Sequence, residues 1–304
     1  MKSGFVNLFG RPNAGKSTLL NALVGEKLAI VSRKVQTTRH RIKGIVSTPE
    51  YQVVFSDTPG IIEPEYALHE RMMQAVRSGL EDADVALLVV DVQQEPGPDD
   101  AVFSELKLNV PAIVVLNKVD VLLGKASPGV DKAAPARITT LAERREFFEG
   151  RPYCRCVVEV SALHGSGIDR LMDAVLEFLP EGLPFFPDGD MTDLPTRFFV
   201  GELVREKIYE LFSEEIPYHS TVIVQEFTEK PELTKVRAEI VVQRETQKGI
   251  LLGEGGKKIK ELGTAARKEI EAFLGRKVFL ELFVKVRPKW RDNGTLLREY
   301  GYDG

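Results

Sequence analysis

The chain has 304 residues, 43% of them hydrophobic and 28% charged, with 41 Lys and Arg against 45 Asp and Glu for a net charge of −4. That balance excludes a disordered chain, a collagen-like chain and a membrane bundle, because no apolar run approaches the ~20 residues of a spanning helix. The length suits about two domains at roughly 150 residues each, and a pI of 5.8 taken alone speaks against nucleic acid as a partner.

The apolar run at residues 5–9 is short and interrupted by Asn7, so it does not suit a secretory leader. Two cysteines, Cys154 and Cys156, cannot build a disulfide framework, and a reducing cytoplasm is the expected location. Short aliphatic runs end at Phe9, Phe55, Val90 and Leu116, with helical stretches between them at residues 16–24 and 68–79. Strand alternating with helix predicts an α/β, doubly wound, mostly parallel sheet over residues 1–180, with ligands at the carboxyl ends of its strands. Residues 38–46 and 51–55 lie only a turn apart and are expected to form an antiparallel hairpin. The proline-rich stretch 124–136 is expected as a surface loop. Residues 181–196, with Pro184, Pro187 and Pro195, are expected as an interdomain linker.

Residues 197–304 then form a second, smaller α+β domain in the order α-β-β-α-α-β. Its expected elements are a helix at 198–212, strands at 221–227 and 236–242, helices near 246–252 and at 257–274, and a strand at 278–286. Phe199, Leu203, Ile208 and Leu211 stand at core spacing on the first helix.

The run Gly10-Arg11-Pro12-Asn13-Ala14-Gly15-Lys16-Ser17, extended by Thr18, fits G-x-x-x-x-G-K-[ST] between a strand and a helix. Its glycines let backbone N–H groups wrap a polyphosphate, and the positive end of the helix adds to the field. Lys16 is expected to bridge the terminal phosphates and Ser17 to ligate Mg²⁺. Asp57-Thr58-Pro59-Gly60 closes another strand: the carboxylate suits a Mg²⁺-bound water, and the Gly60 N–H suits a γ-phosphate. Asn117-Lys118-Val119-Asp120 closes a third strand. Its terminal carboxylate can accept from the adjacent N1–H and 2-amino donors of guanine, a pair adenine lacks. Ser161-Ala162-Leu163 would brace the base.

Four motifs in this order resemble the translation-factor-like class of P-loop GTPases. The resemblance makes Thr38, within Gln36-Thr37-Thr38-Arg39-His40, the switch threonine that ligates Mg²⁺ with GTP bound, Thr37 being the alternative register. Lys16, Thr38 and Gly60 then form the catalytic set, and metal contacts come from Ser17, Thr38 and, through water, Asp57. Ile61 stands where many such GTPases carry a catalytic glutamine, and it cannot orient water. Slow intrinsic hydrolysis, raised by a partner or a monovalent cation, is the expectation. Asn13 either helps to bind potassium, as in related proteins, or only shapes the loop.

Gly253-Glu254-Gly255-Gly256, followed by Lys257, Lys258 and Lys260, resembles the G-x-x-G loop of a type II KH domain, although Glu254 departs from the basic residue common there. Small residues let a single RNA strand lie against the helix N-terminus while lysines hold its phosphates. The pairing of both modules in this order is similar to the Era family of GTPases. That similarity implies GTP hydrolysis, binding near the 3′ end of small-subunit ribosomal RNA and assistance to small-subunit assembly by a monomer. It also implies peripheral association with the inner face of the cell membrane. A different reading is a membrane-linked regulatory GTPase whose KH-like domain binds a protein.

Three other features carry less. Cys154 and Cys156 suit core positions at a strand start, and the four histidines are scattered. His69 suits a solvated helix position, with an approach to the nucleotide water as the alternative. Trp290, between Lys289 and Arg291, is read either as a base-stacking residue or as packing. The charge is uneven: residues 244–291 hold 13 Lys and Arg against 6 Asp and Glu. The overall pI therefore averages an acidic part with a basic one.

Overall fold

In the computed structural model, which describes residues 1–122 and 140–302, the chain divides into two compact units. The first comprises Met1–Ala29, Thr38–Glu63 and Met72–Asp193, and the second Ile30–Thr37, Pro64–Arg71 and the chain from Leu194 onward. The loop expected at 124–136 lies outside the described residues.

Elements of the first part of the chain are, in order, β1 (Lys2–Phe9), α1 (Lys16–Val24), β2 (Ile42–Ser47), β3 (Tyr51–Asp57), α2 (Ala67–Glu81), β4 (Val85–Asp91), α3 (Pro96–Glu105), β5 (Ala112–Asn117), α4 (Val119–Leu122), α5 (Leu141–Glu149), β6 (Cys154–Val160) and α6 (Ile168–Phe178). The strands form one sheet in the order β2-β3-β1-β4-β5-β6, parallel throughout except for β2 against β3. All residues of β4 and β5 are buried, as an inner parallel strand covered on both faces requires. Register aligns the strand ends: Leu8 pairs with Asp57, Asp91 with Asn117, and Asn117 with Val160. Carboxyl ends of five strands therefore share one edge. Helix α1 starts after Gly15 and stops at Gly25, both left-handed, while a Thr140–Glu143 capping box starts α5.

The expected hairpin is present, but its first strand begins at Ile42 rather than residue 38. Residues 38–41 carry side chains committed to other partners instead of a ladder, as Arg41 on Asp82 and Ser56 shows. The segment expected as a linker also differs. Gln52 holds the Phe185 and Phe186 amides through its side-chain oxygen, and Ile45 N–H donates to the Met191 carbonyl. Residues up to Asp193 thus belong to the first unit, because a proline-rich chain still has carbonyls to offer a sheet edge.

The second unit holds α7 (Thr196–Leu211), α8 (Ile216–His219), β7 (Thr221–Glu229), β8 (Thr234–Val242), α9 (Glu245–Leu252), α10 (Lys257–Leu274), β9 (Val278–Val286) and α11 (Gly294–Glu299). Its sheet runs β7-β8-β9, antiparallel then parallel. Val200, Leu203 and Val204 of α7 meet Val236, Ala266, Ile270 and Val278 in one core. Ile208 meets Ile240, Val242, Leu251 and Leu262 in the next. The α-β-β-α-α-β order matches expectation, with the short α8 and α11 added.

Trp290 is fully buried, stacks on Tyr302 and donates its indole N–H to the His219 carbonyl at 3.0 Å. Packing is therefore its role, and base stacking is excluded. Trp290→Phe would remove the indole donor to that part-buried carbonyl, costing about 1 kcal/mol. The second unit's unfolding midpoint in urea, followed by circular dichroism, should fall, while RNA affinity below the transition should stay unchanged.

Candidate functional site

The phosphate loop follows β1 directly, and its backbone needs conformations few residues tolerate. Asn13 has φ 64° and Gly15 φ 93°. A Cβ on Gly15 would stand 2.3 Å from the Asn117 amide nitrogen, and one on Gly10 2.5 Å from the Val89 carbonyl oxygen. Only glycine allows this approach. Lys16 is buried and donates to the Gly10 and Arg11 carbonyls at 3.0 and 3.1 Å. Burial pulls its pKa down to about 8 against the attraction of Asp57 and Asp99. Such an ammonium has much to gain from an anion placed in the loop.

Beside it, three side chains converge. Ser17 Oγ donates to Asp57 Oδ2 at 2.6 Å, Thr38 Oγ1 donates to the same oxygen at 3.1 Å, and the two hydroxyl oxygens stand 2.8 Å apart. Thr37 is not part of this group, since its hydroxyl donates to the Lys34 carbonyl at 2.7 Å. Thr38 is the register the geometry selects. Burial pushes the Asp57 carboxyl up while Lys16, Ser17 and Thr38 oppose it; when Asp57 is ionised, the triangle of two hydroxyls and a carboxylate has three oxygen–oxygen edges and two protons. If Asp57 takes both protons, the Ser17–Thr38 edge has none, and a cation shared by those two oxygens removes the conflict. Their separation is close to the ~2.9 Å edge of an octahedron with ~2.0–2.1 Å Mg–O bonds. Asp57 Oδ1 is buried with no hydrogen-bond partner among the described residues, as a water-mediated metal contact would need. The residues present fit Mg²⁺.

Thr58 Oγ1 donates to the Leu8 carbonyl at 2.6 Å, and Ile61 N–H donates to the Gly10 carbonyl at 3.2 Å, anchoring residues 57–61 beside the loop. Gly60 packs so closely on Pro12 that a Cβ would come within 2.9 Å of its backbone.

At the base end, Asn117 Nδ2 donates to the Ala14 carbonyl at 3.0 Å while its oxygen accepts from the Lys118 and Ala162 amides. Ser161 Oγ donates to Asp120 Oδ1 at 2.5 Å, leaving Oδ2 for a ligand, with His164 Nε2 3.8 Å away. Lys118 reaches the Asn13 carbonyl and Asp91 at 2.8 and 2.7 Å. Leu163 is exposed, so only Ser161 and Ala162 are tied into the set. Asp91 falls in none of the sequence motifs, although its place at the end of an apolar strand is the same signal that marks Asp57 and Asn117.

The second predicted site is separate. Gly253, Gly255 and Gly256 all have positive φ, and α10 starts at Lys257 with its first amides unpaired within the helix. Lys257, Lys258 and Lys260 are exposed, as is Glu254. His69 lies in the second unit and is buried, not solvated. Its ring stacks on Tyr66 at 3.7 Å and its Nδ1 accepts from the Glu65 amide, so the apolar packing of Tyr66 hides it. Cys154 and Cys156 are half-buried at the start of β6, and burial pushes both thiols up, which lowers their thiolate fraction.

Residues 5–118 match the family described as 50S ribosome-binding GTPase, and residues 215–291 match the KH domain. The GTPase Era of Geotalea uraniireducens is 43% identical over 305 residues, covering 99% of this chain and 98% of the relative. The chain belongs to the Era family of GTPases. The Staphylococcus haemolyticus member is 42% identical over 99% of this chain and 97% of its own. Among solved structures, Era in complex with MgGDPNP and nucleotides 1506–1542 of 16S ribosomal RNA superposes with a TM-score of 0.90 at 40% identity, all of both chains being covered. A point variant of Aquifex aeolicus Era bound to GDP·AlF₄⁻ gives 0.89 at 40% identity over the same full cover. The architecture expected from sequence, a P-loop GTPase followed by a type II KH domain, is that of the family.

A recess of about 200 Å³ beside the phosphate loop is lined by Arg11, Asn13, Asp91, Gln94 and Asp99, among others. Asp99 is 2% exposed and its carboxyl is raised to about 6, chiefly by burial, with Arg11 opposing. A folded-state pKa above the unfolded value of 3.8 means that the folded state holds the proton longer. Stability is then lost as pH rises from about 4 to about 6. Asp99→Asn should be more stable than the parent by about 3 kcal/mol at pH 7 and no more stable below about pH 4. Urea denaturation across that range measures the difference.

Proposed function

We propose that this chain is a GTP-hydrolysing switch whose second unit binds small-subunit ribosomal RNA near its 3′ end and assists small-subunit assembly. The observation that carries this reading is the full-length likeness to a relative crystallised with both MgGDPNP and a 16S RNA segment. The chemistry is phosphoryl transfer to water, in which positioning and charge stabilisation supply most of the catalysis. In this reading the loop amides of residues 13–18 and the Lys16 ammonium hold the β- and γ-phosphates. Ser17 and Thr38 hold Mg²⁺, with Asp57 behind a water. The Gly60 N–H meets the γ-phosphate, and Asp120, aligned by Ser161, accepts the two guanine donors. Bound Mg²⁺ supplies charge neutralisation across the phosphates. Ile61 offers no hydrogen bond to the attacking water, so intrinsic turnover is slow.

The RNA contact is assigned to Gly253–Gly256 and to Lys257, Lys258 and Lys260. The cytoplasm, a monomeric state and peripheral contact with the inner face of the membrane belong to the same proposal. Among the described residues no helix is long and apolar enough to cross a membrane.

Lys257→Ala/Lys258→Ala should lower affinity for the 3′-terminal segment of the small-subunit RNA at least tenfold. Removing two charges that neutralise phosphates of a single strand should also flatten the log K against log salt slope by about 1.4. Unchanged binding, or crosslinks that avoid residues 253–260, would favour a protein partner for this domain.

For Asn13 we propose a potassium contact in addition to its left-handed place in the loop. Single-turnover GTP hydrolysis should run severalfold faster in potassium than in sodium at equal ionic strength, and equal rates would leave Asn13 with the loop-shaping role alone.

A further inference from the structure

Ile30–Thr37 has no regular secondary structure, and side chains of α7 satisfy its backbone groups. Glu206 accepts from the Val31 N–H at 3.1 Å. Tyr209 donates its hydroxyl to the Gln36 carbonyl at 2.9 Å, and Arg205 donates to the Thr37 carbonyl at 2.5 Å. The Lys34 ammonium caps the Tyr209 and Phe212 carbonyls at the end of the same helix. Arg205 is 1% exposed and is aligned by Glu202, whose two oxygens take its Nε and Nη2 protons. Unlike most charged helix residues, Glu202, Arg205, Glu206 and Lys207 are all buried.

Thr37 ends a stretch of the second unit, and Thr38 opens a stretch of the first. One peptide group joins them. Its carbonyl belongs to Thr37 and its N–H to Thr38, and the bond is planar. Fixing the carbonyl direction therefore fixes the peptide plane that carries the Thr38 N–Cα bond, with φ and χ1 of Thr38 left to the Ser17 and Asp57 contacts. We infer that Arg205, aided by Tyr209, is a positioning residue for Thr38: it orients the Thr37–Thr38 peptide so that the hydroxyl is presented to the metal. The inference rests on the assignment of Thr38 to Mg²⁺. It goes beyond that assignment by naming groups, more than 160 residues along the chain, that touch neither metal nor nucleotide.

The test is the Mg²⁺ concentration that half-maximally slows dissociation of a fluorescent, non-hydrolysable GTP analogue, measured beside the same experiment with GDP. Arg205→Lys cannot make the paired guanidinium contacts and should raise the analogue's Mg²⁺ requirement about tenfold. Tyr209→Phe, which removes one hydroxyl and keeps the packing, should raise it about threefold. GDP, which has no γ-phosphate to share a metal with Thr38, should show less than a twofold change in either variant. Thr38→Ala should raise the analogue's requirement by at least as much as Arg205→Lys. The double variant Thr38→Ala/Arg205→Lys should equal Thr38→Ala within twofold, because both remove one interaction. Additive effects, or equal effects with GDP and the analogue, would show a general structural role and overturn the inference. A Thr38→Ala effect with none from Arg205→Lys and Tyr209→Phe would overturn the inference while sparing the metal assignment. No effect from Thr38→Ala would remove both.

Discussion

The site depends on a shortage of protons around Asp57. One carboxylate oxygen accepts from two hydroxyls that also touch each other, and the other oxygen is buried without a partner. An arrangement of this kind is costly in a protein of no ligand, because buried polar groups are ordinarily satisfied. Everything around it serves to hold it in place. Gly15 lets α1 start close enough for Ser17 to reach Asp57, and β3 ends beside β1 so that Asp57 stands at the loop. Lys16 brings a positive charge that burial disfavours and Asp57 attracts, so a phosphate in the loop would relieve it.

The strand–loop motifs were legible because each depends on neighbours in sequence. Strands covered on both faces read as continuous aliphatic runs, and the polar residue that ends each run stands at the ligand edge. Asp57, Asn117 and Ser161 all follow that rule, and so does Asp91. In the second unit the pattern of α10 and β9 was complete in sequence, to the residue. What sequence did not show was long-range satisfaction of polar groups. The spacing of Phe199, Leu203 and Ile208 marked one buried face of α7, but nothing in that spacing marked the charged residues between them as buried. For Arg205 and Glu206, Ile30–Thr37 brings a backbone acceptor and donor, a pairing across more than 160 positions that periodicity cannot encode. For Trp290 the sequence left packing and base stacking open, and its partners His219 and Tyr302 decide for packing; His69, read as solvated, is buried against the nearby Tyr66 and Glu65.

Composition misled in a related way. An acidic average concealed a basic stretch around a loop of three left-handed glycines, where exposed lysines start a helix. Charge at such a place acts locally, within a Debye length of about 8–10 Å, so the sign of the whole chain says little about what this helix end attracts. Glu254 within that loop lowers the local field, and Lys258 is partly engaged with Glu261 at 3.1 Å. An exposed pair of that kind contributes little to stability and is readily surrendered to a phosphate.

The placement of Arg205 and Tyr209 also bears on how the molecule is made. Translation delivers the N-terminal end first, and domains tend to fold as they emerge. The residues proposed to grip the phosphates and the base are all present once Ala162 has left the ribosome, yet the groups that hold Gln36 and Thr37 lie more than forty residues later. On the proposed reading, a nascent chain completes its nucleotide pocket before it possesses the groups that orient Thr38. During that interval nucleotide could be held, while the difference between GTP and GDP would have no fixed backbone on which to register.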